Sequence, residues 1–158
     1  MLLHVVLMCG KNRSEQQKGF MSEKLIIYAN QESYLSQDRI RVLERYGFKV
    51  TFCGCAADVL TMLKLPVEER PMMLITDAQL PHDKELSTTD TNDGTETGLA
   101  LYRWIREQEK TFPVIIYTSS KRLVAELSEL EDEFLEVVDD CSQGDTVNEI
   151  CVAAQLLS

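Results

Sequence analysis

The chain has 158 residues, a length that suits one domain and allows a substantial buried core. Acidic residues outnumber basic ones 26 to 16, which gives a formal charge of −10. Because this charge repels phosphate backbones, counterion release cannot drive binding to a nucleic acid. We therefore expect no nucleic-acid partner.

The five cysteines form an odd set without a Cys-x-x-Cys pair, and the histidines are His4 and His82. This pattern favours reduced thiols in a cytoplasmic protein over disulfides or a zinc site. Cys53 and Cys55 alternate on a segment that should form an edge strand. We interpret them as packing residues that share one face of that strand.

The first apolar segment, residues 2–9, is far shorter than the ~20 residues that a membrane span needs, and no basic residue precedes it. A lipoprotein interpretation of Cys9 is disfavoured because Met8 stands where a small residue would precede the cleavage site. We expect no membrane association. Residues 1–20 are interpreted as a poorly ordered extension or the product of an upstream start codon, and residues 21–158 as the domain.

Apolar runs of strand length alternate with segments of helical spacing along the rest of the chain. Strands are predicted at residues 25–28, 48–53, 72–76, 114–117 and 134–138. Helices are predicted at residues 33–46, 56–64, 98–108, 121–130 and 145–157. Five such alternations with apolar central strands predict an α/β fold, a doubly wound five-stranded parallel sheet with helices on both faces.

One connection is much longer than the others. Sixteen residues separate Pro81 from Gly98, and this insertion, residues 82–97, contains five acidic residues and one basic residue. Its length and polarity predict a solvated, mobile segment that is too polar to pack, and a metal-binding or partner-binding lid is the alternative. The calcium-loop pattern fails because Ala100 or Leu101 stands where the closing glutamate must be.

Three segments occur in an order that is typical of one family. They are Leu74–Pro81 (LITDAQLP), Gly98–Arg106 (GLALYRWIR) and Pro113–Ser119 (PVIIYTS). With the order of the predicted elements, they resemble a response-regulator receiver domain over about residues 24–157. The resemblance implies a flavodoxin-like (βα)5 fold, the role of phosphoacceptor for Asp77, and the role of switch hydroxyl for Thr118.

The chain departs from this family at two places that matter for the chemistry. A carboxylate that attacks a phosphoryl donor needs a metal ion and a further cation to offset the negative charges. The positions matching the family's acidic pair hold Ala29 and Asn30, which lack the carboxylates that hard divalent ions prefer. The position matching the family's lysine holds Asp139, which would repel a phosphoryl group by about 1–4 kcal/mol at ~4 Å. We therefore expect a degenerate, pseudo-receiver site, with Asp77, Asn30 and Asp83 as the remaining candidate metal ligands.

These features favour a stand-alone, cytoplasmic signalling module of a two-component or phosphorelay system. We expect it to act by binding a signalling partner, a histidine kinase or a separate output protein, and we expect no enzymatic activity and no cofactor. The family's partner face lies at the fourth and fifth elements. One helical stripe cannot bury all of Leu123, Val124, Leu127 and Leu130, so some of them are expected to be exposed there.

Three alternatives remain. The first is a phosphorylatable response regulator that accepts phosphate on Asp77, with Mg2+ held partly by acids of the insertion. The second is a small doubly wound enzyme or cofactor-binding protein, although residues 30–33 (NQES) replace the glycine-rich phosphate loop that should follow the first strand. The third is a permuted or truncated second receiver, suggested by residues 137–140 (VVDD) and disfavoured because five strand–helix units are already complete.

Overall fold

Five strands and five helices alternate in the part of the chain that the computed structural model describes, residues 23–86, 91–140 and 146–158. The strands are β1 (Lys24–Ala29), β2 (Phe48–Cys53), β3 (Leu74–Asp77), β4 (Val114–Thr118) and β5 (Leu135–Asp139). The helices are α1 (Ser33–Arg45), α2 (Ala56–Leu63), α3 (Thr97–Gln108), α4 (Lys121–Ser128) and α5 (Thr146–Leu156). In these residues no helix is long and apolar enough to cross a bilayer. The proposed N-terminal extension, residues 1–20, lies outside the described residues.

All five strands run parallel in one sheet, in the order β2-β1-β3-β4-β5. The predicted doubly wound sheet is thus confirmed. The chain reverses its direction of winding between β1 and β3, and open α/β sheets form their crevice at such a switch point. The carboxyl ends of these two strands, at Ala29 and Asp77, therefore flank the crevice.

The sheet is buried on both faces, which explains why its central strands are almost continuously apolar. Ile27, Leu74 and Ile116 belong to the core on the side of α2, α3 and α4. Tyr28 and Tyr117 belong to the core on the opposite side, which includes residues of α1 and α5. Side chains alternate between the two faces along each strand, and this alternation places both tyrosines on the same face of the sheet.

The strand and helix ends differ from the prediction by one or two residues. Asp77 is the last residue of β3, since its backbone pairs with Tyr117 of β4. Cys53 ends β2 and is buried, as expected, but Cys55 is the N-cap residue of α2 and does not lie on the strand. The two thiols therefore do not share a strand face. Gly54 between them lies in the bend that leads from β2 into α2.

The long connection after β3 packs against the domain in its described parts. Leu86 is buried among core residues of the α2–α3 side, and the side chain of Thr91 is fully buried. Lys64 at the end of α2 forms an ion pair with Glu85, 2.6 Å apart. The prediction of a segment too polar to pack is therefore wrong for these residues, because one apolar side chain and a paired acid anchor it. Residues 87–90 lie outside the described residues.

Candidate functional site

The predicted site residues meet at one edge of the sheet. Ala29, Asp77, Thr118 and Asp139 each end a strand, and Asn30 follows β1 directly. Parallel pairing places Asp77 beside Tyr117, and Thr118 beside Asp139. The sheet register thus places the phosphoacceptor candidate, the switch hydroxyl candidate and the three degenerate positions along the same carboxyl edge of the sheet.

Asp83, the remaining candidate metal ligand, contributes to a local turn. Its Oδ1 accepts a hydrogen bond from the backbone N–H of Glu85 at 2.9 Å. Across residues 23–86, 91–140 and 146–158, no group of three or more His, Cys, Asp or Glu side chains is arranged to hold a metal ion. Asp90 of the same acidic loop lies outside the described residues.

Asp77 is a half-buried carboxyl group held by two donors. Its Oδ1 accepts from the backbone N–H of Gln79 at 2.9 Å, and its Oδ2 accepts from Asn30 Nδ2 at 3.5 Å. Burial raises the pKa of Asp77 to about 6, although the Gln79 N–H opposes this shift. The charge of Asp140 raises this pKa further, and that of Arg39 lowers it. The carboxylate is therefore poorly solvated and lies within the field of both charges.

Asn30 lies in the crevice, and its side-chain amide forms hydrogen bonds with other groups of this chain. Its Oδ1 accepts from the backbone N–H of Glu32, the N-cap residue of α1, at 2.6 Å. Its Nδ2 donates to Tyr117 Oη at 2.8 Å and more weakly to Asp77. The oxygen that could bind a metal is thus engaged, and N–H bonds point toward the carboxylate. Because Ala29 offers no ligand atom, these residues do not fit a resident Mg2+ ion.

The crevice also contains a group that the sequence interpretation missed. The rings of Tyr28 and Tyr117 stack with their centroids 5.8 Å apart, and the Arg39 guanidinium lies 5.0 Å from the Tyr117 ring centroid. Arg39 Nη1 donates to Tyr28 Oη at 3.4 Å, and Nη2 donates to Asp140 Oδ1 at 2.8 Å. Burial raises the pKa of both phenols, so they remain protonated.

Two sequence signals could have revealed this group. Tyr28 and Tyr117 each follow three aliphatic residues and occupy the penultimate position of their strand, where a phenolic oxygen reaches the carboxyl edge. Arg39 lies on α1 between Ser36 and Leu43, the buried residues of that helix, at helical spacing. A charged side chain on a buried stripe needs a partner, and its presence therefore indicates one.

Asp139 is paired with a lysine from a neighbouring element. The Nζ of Lys121, the first residue of α4, forms an ion pair with Asp139 Oδ2. From the sequence, an unopposed Asp139 is expected to repel a phosphoryl group, and that expectation does not include the charge of Lys121. The hydroxyl of Thr118 is buried and accepts from the backbone N–H of Ser120, the N-cap residue of α4. Both side chains therefore help to fix the start of α4.

The fold is that of response-regulator receiver domains. The chain is similar to the receiver domain of a Clostridium thermocellum response regulator, with 21% identity, TM-score 0.61, and coverage of 84% of this chain and 92% of that one. A Sinorhizobium medicae response regulator receiver protein gives 18% identity, TM-score 0.64, and coverage of 86% and 94%. The Thermotoga maritima response regulator TrrA, solved in complex with Mg2+ and BeF, gives 17% identity and a TM-score of 0.61, with coverage of 85% of this chain and 99% of that one. No family model and no curated protein match this sequence.

Proposed function

We propose that the chain is a receiver-like signalling module of a two-component or phosphorelay system, with an impaired phosphoacceptor site. The observation that carries this proposal is the amide of Asn30, which directs N–H bonds at Asp77 and Tyr117 and engages its oxygen with Glu32. An acceptor carboxylate held in this way lacks the metal ligands that phosphoryl transfer needs. The module then signals by binding a protein and has no catalytic role of its own.

The edge strand β5 offers a surface for that protein. A groove of about 480 Å³ lies between β5 and α5. It is lined by Glu136, Val137, Val138, Asn148, Glu149, Val152, Ala153 and Leu156. Val152 and Leu156 are 53% and 80% exposed, and two glutamates flank the apolar floor. This chemistry suits a partner that presents apolar side chains between basic ones.

The neighbouring α4 supports only part of the expected partner face. Leu123 and Leu127 are buried in the core, and Val124 is half-buried. Leu130 lies beyond the end of α4 and is 45% exposed. The exposed apolar surface near β5 therefore comes mainly from α5.

The impaired acceptor site predicts that BeF₃⁻ with Mg2+ causes no saturable chemical-shift change at Asp77 in the wild type. The reason is that Asn30 and Asp139 supply neither a metal ligand nor a cation for the phosphoryl oxygens. Two-dimensional NMR measures this, with the Thermotoga maritima regulator as a positive control. The triple variant Asn30→Asp/Asp139→Lys/Arg39→Gln, which supplies a metal ligand and a cation and removes the guanidinium from the crevice, is expected to gain a saturable response. A metal-dependent response of the wild type, or none in the triple variant, would contradict the proposed impairment.

The docking surface predicts that negative charge introduced into the β5–α5 groove weakens partner binding. Purified histidine kinases and output proteins encoded beside this chain are titrated by calorimetry. Val152→Glu/Leu156→Glu is expected to weaken binding about tenfold or more, since buried apolar anchors carry much of an interface's free energy. Val67→Glu is the matched control, because Val67 is 78% exposed and is not part of the groove. Equal affinities for the wild type and both variants would place the interface elsewhere.

A further inference from the structure

Arg39 brings a positive charge from α1 into the crevice at the strand ends. Its side chain is 23% exposed and forms an ion pair with Asp140, whose side chain is 25% exposed. The same guanidinium contacts the Tyr28 hydroxyl and lies over the Tyr117 ring. One side chain thus connects α1, β1, β4 and the residue after β5. These contacts leave the guanidinium little freedom to move.

The groups around Arg39 form a carboxyl-rich cluster. Asp140 contacts Arg39 directly, and Asn30 Nδ2 bridges Asp77 to the hydroxyl of Tyr117, over whose ring Arg39 lies. The negative charge of the exposed Glu32, at the start of α1, raises the pKa of Asp77. Asp139 has its own cation in Lys121. Clustered carboxylates repel one another unless a positive charge offsets them, and a bound divalent ion is one such charge.

We propose that Arg39 is a built-in counter-ion that takes the electrostatic role of a divalent cation in this crevice and excludes Mg2+ from it. The domain therefore reaches its folded conformation without metal. The geometry that supports this is the guanidinium held by Asp140, Tyr28 and Tyr117, with Asp77 joined to Tyr117 through Asn30. Partner binding does not depend on this inference, so either can fail while the other holds.

The test is a titration with Mg2+ and, as a paramagnetic probe, Mn2+ at constant ionic strength. NMR signals of Asp77 and Asp140 report binding. The wild type is expected to show no saturable broadening or shift. Asn30→Asp supplies a carboxylate beside Asp77, and Asn30→Asp/Arg39→Gln is expected to bind Mg2+ about tenfold or more tightly than Asn30→Asp alone, because a unit charge repels a divalent ion by about that factor at ~6 Å even in a water-like dielectric. Arg39→Lys keeps the charge and is expected to behave as the wild type.

The matched control is Arg41→Gln on the same helix, where Arg41 is exposed and pairs with Asp38. This variant is expected to remain insensitive to the metal. The inference is overturned if Asn30→Asp/Arg39→Gln binds Mg2+ no more tightly than Asn30→Asp/Arg41→Gln, or if the wild type itself binds Mg2+ saturably at these signals. If the Arg39→Gln variants do not fold, Asn30→Asp/Arg39→Lys gives the second comparison: it is expected to bind Mg2+ no more tightly than Asn30→Asp, and tighter binding would equally overturn the inference.

Discussion

Replacement of Gly98 by alanine is expected to lower the free energy of unfolding by about 3 kcal/mol, the upper end of the range for overpacked sites. A Cβ at position 98 would lie 2.5 Å from the carbonyl oxygen of Asp77 and 3.0 Å from the Cα of Ala78. Both are backbone atoms, and Gly98 N also donates to Ala78 O at 3.0 Å. The start of α3 cannot move away without the loss of that bond. Glycine is needed here for close approach of two backbones.

Urea unfolding of the wild type and Gly98→Ala measures this effect. Gly54→Ala is the matched control, because the nearest atom to its added Cβ would be a ring carbon of Phe52 at 3.9 Å. Its free energy of unfolding is expected to change by less than about 1 kcal/mol. If both variants lose the same stability, the contact between α3 and the end of β3 is not the cause.

The sheet could be predicted from the sequence because buried parallel strands are apolar runs bounded by turns. Strand ends were less certain, and β3 shows why. Met72 and Met73 extend the apolar run, yet the strand begins at Leu74. Met73 is fully buried and its carbonyl oxygen accepts from the N–H of Ile27 in β1 at 2.9 Å, so backbone pairing with β1 begins just before the strand itself. Conversely, Asp77 continues the ladder despite its polar side chain. Hydropathy reports burial, whereas a strand is defined by backbone pairing.

The site was predictable only as far as strand ends determine it. Asn30, Asp77, Thr118 and Asp139 meet because they follow or end neighbouring parallel strands. The pairing of Arg39 with Asp140 joins residues 101 positions apart and depends on the rotation of α1 about its axis. No local pattern contains that information. The roles of phosphoacceptor for Asp77 and switch hydroxyl for Thr118 stay predictions.

The same limit explains the long connection after β3. Its composition indicated a solvated segment, since a count of acids does not reveal which of them are paired. Glu85 forms an ion pair with Lys64, and Glu96 forms one with Arg122, although each basic residue is distant in the chain from its acidic partner. Leu86 adds one buried apolar side chain. A few tertiary contacts thus override an average property of the segment.

Replacement of Asp77 by asparagine is expected to stabilise the protein at pH 8 by up to about 3 kcal/mol and to have little effect near pH 4. Burial raises the pKa of Asp77 from 3.8 to about 6 in the folded protein. Between these values the folded state holds a proton that the unfolded state has released. The contribution of Asp77 to the wild-type free energy of unfolding therefore falls as the pH rises from about 4 to about 6, and it stays low above that. Asparagine cannot ionise and removes this loss.

Urea unfolding at intervals from pH 4 to pH 8 measures the difference between the two curves. Asp38→Asn is the control, because the Asp38 side chain is 91% exposed on α1, and its curve is expected to follow the wild type. Parallel curves for the wild type and Asp77→Asn would show that Asp77 is well solvated. A gap that opens above about pH 5 would show that the ionised carboxylate destabilises the fold. Asp77 would then be a residue that lowers the stability of the domain, so stability would not account for a carboxyl group at this position.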